Sequence, residues 1–340
     1  MKRSLFPLLL GPALLATLAG CATDRQVIRQ AESANSELAP ALIDDPELNK
    51  YMQELGARIV EAARAADAAH EGPSAHFGGE DNAWMFTRGQ FHLVNSPTLN
   101  AFTTGGEHMY IYSKLFEQCR SEDELAAVMA HEYAHVYSRH VHKGMNRQIL
   151  AGSLAAGAGL VGLAVGGEEH GQEYAAIASV STATAASFLD LGYTRDDEEE
   201  ADEWGFAFHA RAGWDPQHFG DFFQQLIDQG LDSTPETLSS HPSLASRVER
   251  AKKRAAALPP EAASWRRPPI ADAKRYALLR QRTQRMAQAM PTSEQVALAQ
   301  TLLSAVPSCV LPVDQPAQKE AQRRIAAAVS EASSRNGGRP

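Results

Sequence analysis

Apolar residues recur at helical spacing in the first part of the chain. Leu48, Met52, Leu55 and Ile59 lie three or four positions apart, so they line one face of a helix. This pattern predicts a long helix across residues 38–69. The last quarter of the chain again shows helical spacing, without a recognisable repeat. Both regions are therefore predicted to be helical.

A different pattern follows the first long helix, where apolar and polar positions alternate. Two short alternating runs lie around Phe91 and around Met109, and turn residues that include Gly105-Gly106 interrupt them. Alternation with a period of two is typical of a half-buried strand. The region over residues 83–112 is therefore predicted to form two or three strands in a small antiparallel sheet.

The next helix has a clear start signal. Ser121 is followed three residues later by Glu124, which is the spacing of a capping box. The helix is predicted to begin at Glu122 and to continue past His140. Together these patterns predict a mostly α-helical protein with one small antiparallel sheet, an α+β fold.

The N-terminal end has the pattern of an export signal. Lys2 and Arg3 precede an apolar run that ends in Leu-Ala-Gly-Cys, with Cys21 as its last residue. That order resembles the lipobox of bacterial lipoproteins, in which the cysteine carries the lipid. We therefore expect residues 1–20 to be a lipoprotein signal peptide, Cys21 to be the lipidation site and residues 21–36 to be a polar tether. The resemblance implies an anchor in the outer membrane, on its periplasmic side.

Charge and apolar stretches limit the possible partners. The chain carries a net charge of −9, so it has no general attraction for nucleic acid. A basic run between residues 247 and 285 is interpreted as solvated helix faces, with anionic lipid as the alternative. The uncharged residues 149–167 barely reach the length of a membrane span. Their Gly and Ala content favours a helical hairpin.

One segment, His131-Glu132-Tyr133-Ala134-His135, has the pattern of a metal site. On a helix, residues four apart share a face, so His131 and His135 can bind one ion. Imidazole nitrogens suit Zn²⁺. Glu132 can then take the proton of a zinc-bound water and deliver it to a leaving amine. Chance occurrence is the alternative, and the capped, apolar helix around the motif favours a built site.

A third ligand is expected downstream, because catalytic zinc usually takes three protein ligands. Acidic residues cluster just after Arg195, and helical spacing places Glu198 and Asp202 one turn apart on the same face. Glu198 is then a candidate ligand, and Asp202 a candidate hydrogen-bond partner of a ligating histidine. Spacing alone leaves Glu199 and Glu200 open as ligands.

Four motifs occur in an order that one family of proteases shares: Asn100-Ala101-Phe102, His131 to His135, Arg195 to Asp202, and Ser240-His241-Pro242 with Arg247. On these motifs the chain resembles the periplasmic zinc metallopeptidases of the BepA and LoiP type, which are relatives of HtpX, Oma and the Ste-type CAAX proteases. The resemblance implies Glu198 as the third ligand and one Zn²⁺ per chain. It also implies a gluzincin-type metallopeptidase domain that extends over residues 37–256. Beyond it, the sequence pattern predicts a helical C-terminal extension over residues 257–340, and the composition of its last residues, 333–340, predicts disorder.

Several residues outside the zinc motif have two possible roles. In BepA-type relatives the histidine that matches His241 sits over the zinc, so the resemblance favours His241 as a gate or fourth ligand. One alternative is an exposed loop histidine, and another is a catalytic histidine that stabilises the oxyanion of the tetrahedral intermediate. Continued helical pitch turns His140 and His142 away from the metal, so both are expected to be exposed. Cys119 and Cys309 can form a disulfide or stay free.

These observations predict a zinc-dependent endopeptidase. The resemblance implies that it hydrolyses unfolded or misassembled cell-envelope proteins, as part of envelope quality control. An extended substrate is expected to add to the sheet edge near residues 100–112. The alternative is a lipid-anchored periplasmic chaperone or assembly factor whose zinc site is latent or structural.

Overall fold

The computed structural model describes most of the chain, namely residues 24–71, 82–147, 192–232, 242–311 and 316–337. Three predicted features lie outside these ranges: the signal peptide with Cys21, the uncharged residues 149–167, and His241. Among the described residues, none of the helices combines the length and the apolar character needed to cross a bilayer.

The described residues are mostly helical, which confirms the predicted fold class. Residues 140–147 are also helical, and short 3-10 turns occur at Ala39–Ala41, Pro216–His218 and Pro260–Trp265. The longer helices are α1 (Asp24–Leu38), α2 (Pro46–Ala68), α3 (Ala83–Thr87), α4 (Ser113–Gln118), α5 (Glu122–Tyr137), α6 (Arg195–Ala212), α7 (Asp221–Asp228), α8 (Leu244–Ala256), α9 (Ala273–Ala289), α10 (Glu294–Ala305) and α11 (Pro316–Gly337).

Helix α2 lies within the predicted long helix but starts later. Asp45 caps it, and its Oδ1 accepts a hydrogen bond from the Leu48 amide at 3.0 Å. Pro46 at the first helical position needs no hydrogen-bond acceptor, which fixes the start there. The predicted apolar face, which includes Leu55 and Ile59, is buried in the core. That face contacts both β1 and α6.

The sheet has three strands, β1 (Gln90–Val94), β2 (Ala101–Thr103) and β3 (His108–Tyr112), in the order β1-β3-β2. β2 pairs with β3 in the antiparallel sense, but β1 pairs with β3 in the parallel sense. The prediction of a purely antiparallel sheet is therefore wrong. The chain reverses between β1 and β2 and again at Gly105, so β1 and β3 run in the same direction. Gly105 makes the second turn with a φ of 78°, in the region that favours glycine.

The first described residues, from Asp24 onward, are part of the folded domain. Residues 24–36 were predicted as tether but belong to α1, whose face with Val27, Ala31 and Leu38 is buried. The tether prediction is wrong for these residues because their apolar side chains recur at helical spacing, which the polar composition masked. At the start of α1, Asp24 accepts hydrogen bonds from Arg139 Nη2 at 2.8 Å and from Trp84 Nε1 at 3.0 Å.

The C-terminal helices pack onto the rest of the protein in one continuous core. The hydroxyl of Tyr112, at the end of β3, donates to the carbonyl of Leu303 on α10 at 2.6 Å. Arg282 on α9 forms a salt bridge with Asp45 at 2.8 Å. Helix α11 extends to Gly337.

His209 on α6 gives the fold a sensitivity to acid. Its ring lies between Trp214 and Phe219, and Nε2 donates to the carbonyl of Asp123 at 3.2 Å. Burial lowers the pKa of His209 to about 3. In the unfolded chain a histidine takes up a proton below about pH 6.5. The unfolded state therefore binds more protons between these two values, and stability must fall as the pH drops through that window.

We expect His209→Phe to reduce the pH dependence of stability, because it removes up to one proton of uptake on unfolding. Urea unfolding at several values between about pH 4 and about pH 7 measures the slope. The substitution also removes the hydrogen bond to Asp123, which changes the free energy of unfolding at every pH but not its dependence on pH. An unchanged slope in the variant would show that His209 is not the group that titrates.

Candidate active site

Helix α5 carries the predicted metal-binding motif and begins where the sequence indicates. The hydroxyl of Ser121 accepts a hydrogen bond from the Glu124 amide at 3.2 Å. The Glu124 carboxylate accepts from the Arg120 amide at 2.7 Å, one residue before the position that a capping box uses. Every side chain from Glu124 to Tyr137 is buried. The motif therefore lies inside the protein.

Helix α6 lies against α5 at close range. Thr194 and Asp197 cap its start by exchanging hydrogen bonds, which commits Asp197 to the cap. At Gly205 the two backbones nearly touch, because a Cβ there would lie 2.9 Å from Cα of His131. Because Gly205 has no side chain, α6 can approach α5 closely. The acidic residues that lie one and two turns before Gly205 on α6 are therefore next to the histidines.

Three buried side chains converge between these helices. Nε2 of His131 lies 3.1 Å from Nε2 of His135 and 3.4 Å from Oε2 of Glu198. The distance from His135 Nε2 to Glu198 Oε1 is 3.9 Å. Ligand atoms at about 2.0–2.1 Å around a tetrahedral zinc are about 3.3 Å apart. Two imidazole nitrogens and one carboxylate at these separations fit one Zn²⁺.

The structure also separates Glu198 from the other candidate carboxylates. Glu198 is fully buried between the two histidines. Glu200 points elsewhere, to Lys143 Nζ at 2.9 Å. Glu199 faces Arg250 at 3.5 Å near the surface. Of the candidates that spacing left open, only Glu198 is placed beside both histidines.

Asp202 holds the first histidine from the opposite side. Its Oδ1 lies 3.1 Å from Nδ1 of His131, so the histidine can present Nε2 to a metal while its other nitrogen is held. Arg247 in turn donates to Asp202 from Nη2 at 2.7 Å and from Nε at 3.0 Å. Its guanidinium stacks over the ring of Phe223. Arg247 is thus a buried cation that fixes the carboxylate behind the ligand.

The second histidine has a partner that the sequence prediction missed. Helix α5 ends at Tyr137, and Arg139 has a φ of 55°, so the next helical residues start in a new direction. This turn brings Nδ1 of His140 to 2.8 Å from Nδ1 of His135. Nε2 of His140 lies 3.1 Å from the Glu200 carboxylate.

The prediction that His140 and His142 are exposed is therefore wrong, since both are buried. It assumed that α5 continues with unbroken pitch. Nε2 of His142 lies 2.7 Å from Asp24 at the start of α1. The sequence does show a third histidine, His140, five residues after the motif. Its contact with His135 depends on the turn at Arg139, which the sequence pattern did not indicate.

The charges around the site set the protonation of its groups. Burial and the nearby Glu198 raise the pKa of Glu132 to about 7, against the opposing effect of His131 and Arg247. Burial and the neighbouring His131 hold the pKa of His135 well below its usual range, so this ligand is a neutral imidazole. Asp202 and Glu198 raise the pKa of His131 to about 9, although burial and Arg247 oppose them. A metal ion must displace that proton to bind.

Two further residues line the site. The ring of Tyr193 stacks on His135 with 3.7 Å between ring centroids. Cys309, from the C-terminal extension, is buried with its thiol beside the Glu132 carboxylate. Cys119 lies elsewhere in the core, and both thiols are free, so the two cysteines do not form a disulfide. His241 lies outside the described residues, and its role as a gate stays a prediction.

Comparison with known proteins identifies the family. Residues 73–255, more than half of the chain, match Peptidase family M48. The chain belongs to peptidase family M48. The matched span contains the three converging side chains and Glu132, and M48 peptidases are zinc-dependent. The predicted zinc cofactor is therefore confirmed.

Named relatives of this M48 protein are proteases. The Beta-barrel assembly-enhancing protease of Escherichia coli (strain K12) is 33% identical over 218 residues, which are 63% of this chain and 40% of that protein. The Putative beta-barrel assembly-enhancing protease of Vibrio cholerae is 34% identical over 224 residues, 64% of this chain and 41% of that protein. Mitochondrial metalloendopeptidase OMA1 of Saccharomyces cerevisiae is 28% identical over 199 residues, 56% of this chain and 52% of that protein. These matches confirm the predicted resemblance, and the chain spans about two fifths of the length of the bacterial relatives.

The contact between Asp202 and His131 in this M48 site can be tested directly. Asp202→Asn keeps the size of the side chain but removes the charge that holds His131 and Arg247. We expect zinc affinity to fall by about 10–100-fold, as when partners of metal ligands are lost. Competition with a chelator measures the affinity, and Glu203→Gln, at an exposed position on the same helix, is the control. Equal affinity in the two variants would contradict the role of Asp202.

Proposed function

We propose that this M48 protein is a zinc-dependent endopeptidase in which His131, His135 and Glu198 bind the metal and Glu132 is the general base. The observation that supports it most is the convergence of three buried ligand atoms within 4.8 Å of one another, with Glu132 adjacent to them on α5. Three protein ligands leave a fourth zinc position for reaction chemistry.

The mechanism follows from the protonation of Glu132. A zinc ion held by the three ligands supplies Lewis-acid activation of the attacking water and of the scissile carbonyl. Glu132, with a pKa of about 7, can take the proton of that water and hand it to the leaving amine nitrogen. Asp202 and His140 hold the two histidines in orientation throughout.

We propose unfolded or misassembled envelope proteins as substrates. Two bacterial relatives are named for enhancing β-barrel assembly, which supports this class. The catalytic groups are also buried, since Glu132 is 0% exposed. Only a chain that can enter in extended form reaches them. Among the described strands, β2 lies at the edge of the sheet, and we propose that such a chain pairs there.

Substrate class and metal dependence can be tested together with one outer-membrane β-barrel protein, presented unfolded or folded in detergent micelles. We expect zinc-loaded protein to cleave the unfolded form, a chelator to stop cleavage, and about one equivalent of zinc to restore it. The folded form should resist. Cleavage that continues in the presence of the chelator would contradict the assignment as a zinc peptidase. Equal cleavage of the folded and unfolded forms would contradict only the proposed substrate class.

We also propose that a lipid on Cys21 anchors the protein to the periplasmic side of the outer membrane, after removal of residues 1–20. The support is the lipobox-like order of residues before Cys21. Cys21→Ser should release a soluble or unprocessed form, because acylation needs the thiol. Membrane fractionation measures this, and outer-membrane association that is unchanged in the variant would refute the anchor.

One observation supports a second candidate function. The ligands are between 0% and 1% exposed, as they would be in a structural or latent zinc site. A chaperone or assembly factor would then bind unfolded envelope proteins without cleaving them. Suppression of aggregation by zinc-loaded protein, with no cleavage products over many hours, would favour this function over the peptidase.

A further inference from the structure

A short segment of the C-terminal extension lies over the catalytic groups. We call residues 306–311, between α10 and α11, the strap. Its buried side chains are Val306, Ser308, Cys309, Val310 and Leu311. A cavity of about 320 Å³ lies on another side of the strap and is bordered by Leu99, Leu231 and Leu311. The strap thus contacts this cavity as well as the catalytic groups.

The backbone of the strap is held by side chains from the peptidase domain. Nη1 of Arg247 donates to the carbonyl of Cys309 at 2.7 Å. Nδ2 of Asn100 donates to the carbonyl of Pro307 at 3.2 Å, and Oδ1 of Asn100 accepts from the Cys309 amide at 3.3 Å. These contacts recognise main-chain groups, so they do not depend on the side chains of the bound segment.

Both holding residues belong to the catalytic region. Asn100 directly precedes the edge strand β2. Arg247 Nη2 lies 3.2 Å from Nδ1 of His131. The bound segment also places the buried Cys309 close enough to the buried Glu132 for each to influence the pKa of the other. A peptide substrate must occupy this same space, because its scissile bond has to reach Glu132 and the histidines.

We propose that the strap is an internal pseudosubstrate whose main chain, held by Asn100 and Arg247, takes the place of an extended peptide substrate. This role rests on the proposed peptidase function. The strap and substrate then compete for one groove. The resting enzyme is closed by its own C-terminal extension, and activity requires the strap to leave. The apparent rate of cleavage is then proportional to the fraction of molecules in which the strap has left.

The strap is also held by groups that lie outside the catalytic cluster. Nε2 of Gln318 on α11 donates to the carbonyl of Val306 at 2.6 Å. The Ser308 hydroxyl accepts from the Leu311 amide at 3.0 Å and from the Val310 amide at 3.3 Å. Substitutions at Gln318 and Ser308 can therefore loosen the strap without removing a residue of the site.

The first test measures casein cleavage by zinc-loaded full-length protein. Gln318→Ala and Ser308→Ala should each raise kcat/KM by about fivefold, which is the factor that one buried hydrogen bond contributes to an equilibrium. Gln300→Ala is the matched control, because Gln300 also donates to a main-chain carbonyl, that of Asn95, away from the strap. Unchanged or lower cleavage in both strap variants, with folding intact, would overturn the proposal.

The second test reads the position of the strap without turnover. In zinc-loaded Glu132→Gln protein, Cys309 should react slowly with N-ethylmaleimide, and saturating casein should speed its modification by about fivefold or more as the strap is displaced. Cys119 is buried and free in the same chain and should not respond. Mass spectrometry of the separate peptides distinguishes the two thiols.

The outcomes separate the strap from the peptidase function. Casein that binds, as measured by fluorescence anisotropy, without changing Cys309 reactivity would refute competition for the groove even if the wild-type protein cleaves casein. Faster Cys309 modification in the Glu132→Gln variant, together with no casein cleavage by the zinc-loaded wild-type protein or by the strap variants, would support the shared groove and refute the peptidase function.

Discussion

Glu132→Gln is expected to lower kcat for peptide-bond cleavage by about 10²–10⁴-fold while zinc stays bound, the range of a general acid–base contribution. The amide of glutamine has the shape of the carboxylate but cannot take a proton from water at neutral pH. Glu132 is fully buried and its pKa is raised to about 7, so its carboxyl can both accept and return that proton. The three ligand side chains are unchanged by the substitution.

Turnover of an unfolded protein and zinc content in the same preparation measure the effect. Glu124→Gln is the matched control, since Glu124 is another buried glutamate of α5 but caps the helix start, away from the metal ligands. It should keep near-normal kcat. Cleavage by Glu132→Gln at more than a tenth of the wild-type rate would contradict general-base catalysis by this residue.

Removing any metal ligand is expected to have an equally large effect. His131→Ala, His135→Ala and Glu198→Ala should each lose bound zinc and all cleavage, because each removes one of three protein ligands. Zinc that binds only the folded state also stabilises it. The wild-type Tm should therefore rise when zinc is added to the metal-free protein, and the Tm of the variants should rise much less.

Metal analysis and thermal unfolding with and without zinc provide the measurement. Glu199→Ala and Glu200→Ala serve as controls from the same acidic run. Glu199 faces Arg250 near the surface, and Glu200 is bound to Lys143 and His140. Both should keep stoichiometric zinc. If either control lost zinc while Glu198→Ala kept it, Glu198 would not be the third ligand.

Helical geometry explains why part of the site could be predicted from sequence. Residues four apart on a helix share a face whatever the helix packs against, so the pairing of His131 with His135 follows from local structure alone. The spacing alone did not distinguish Glu198 from its acidic neighbours, because it does not tell which face of α6 is turned toward α5. The cap at Thr194 and the close approach at Gly205 determine it.

The missed features depend on contacts between distant parts of the chain. Alternation along β1 is the same whether it pairs in a parallel or an antiparallel sense, so the sequence could not give the pairing. The turn at Arg139, which directs His140 to His135, has a positive φ at a residue that rarely adopts one. The strap meets Asn100 and Arg247 across long sequence separations. Local patterns carry no information about such contacts.

The docking of α1 limits how far the enzyme can reach from a membrane. Asp24 is fixed to Arg139 beside the zinc helix. Asp24 is the third residue after Cys21, and a fully extended chain over these three steps spans about 11 Å. A free tether over residues 21–36 would span about 55 Å. If Cys21 carries the proposed lipid, the short connection holds the catalytic domain close to the bilayer surface.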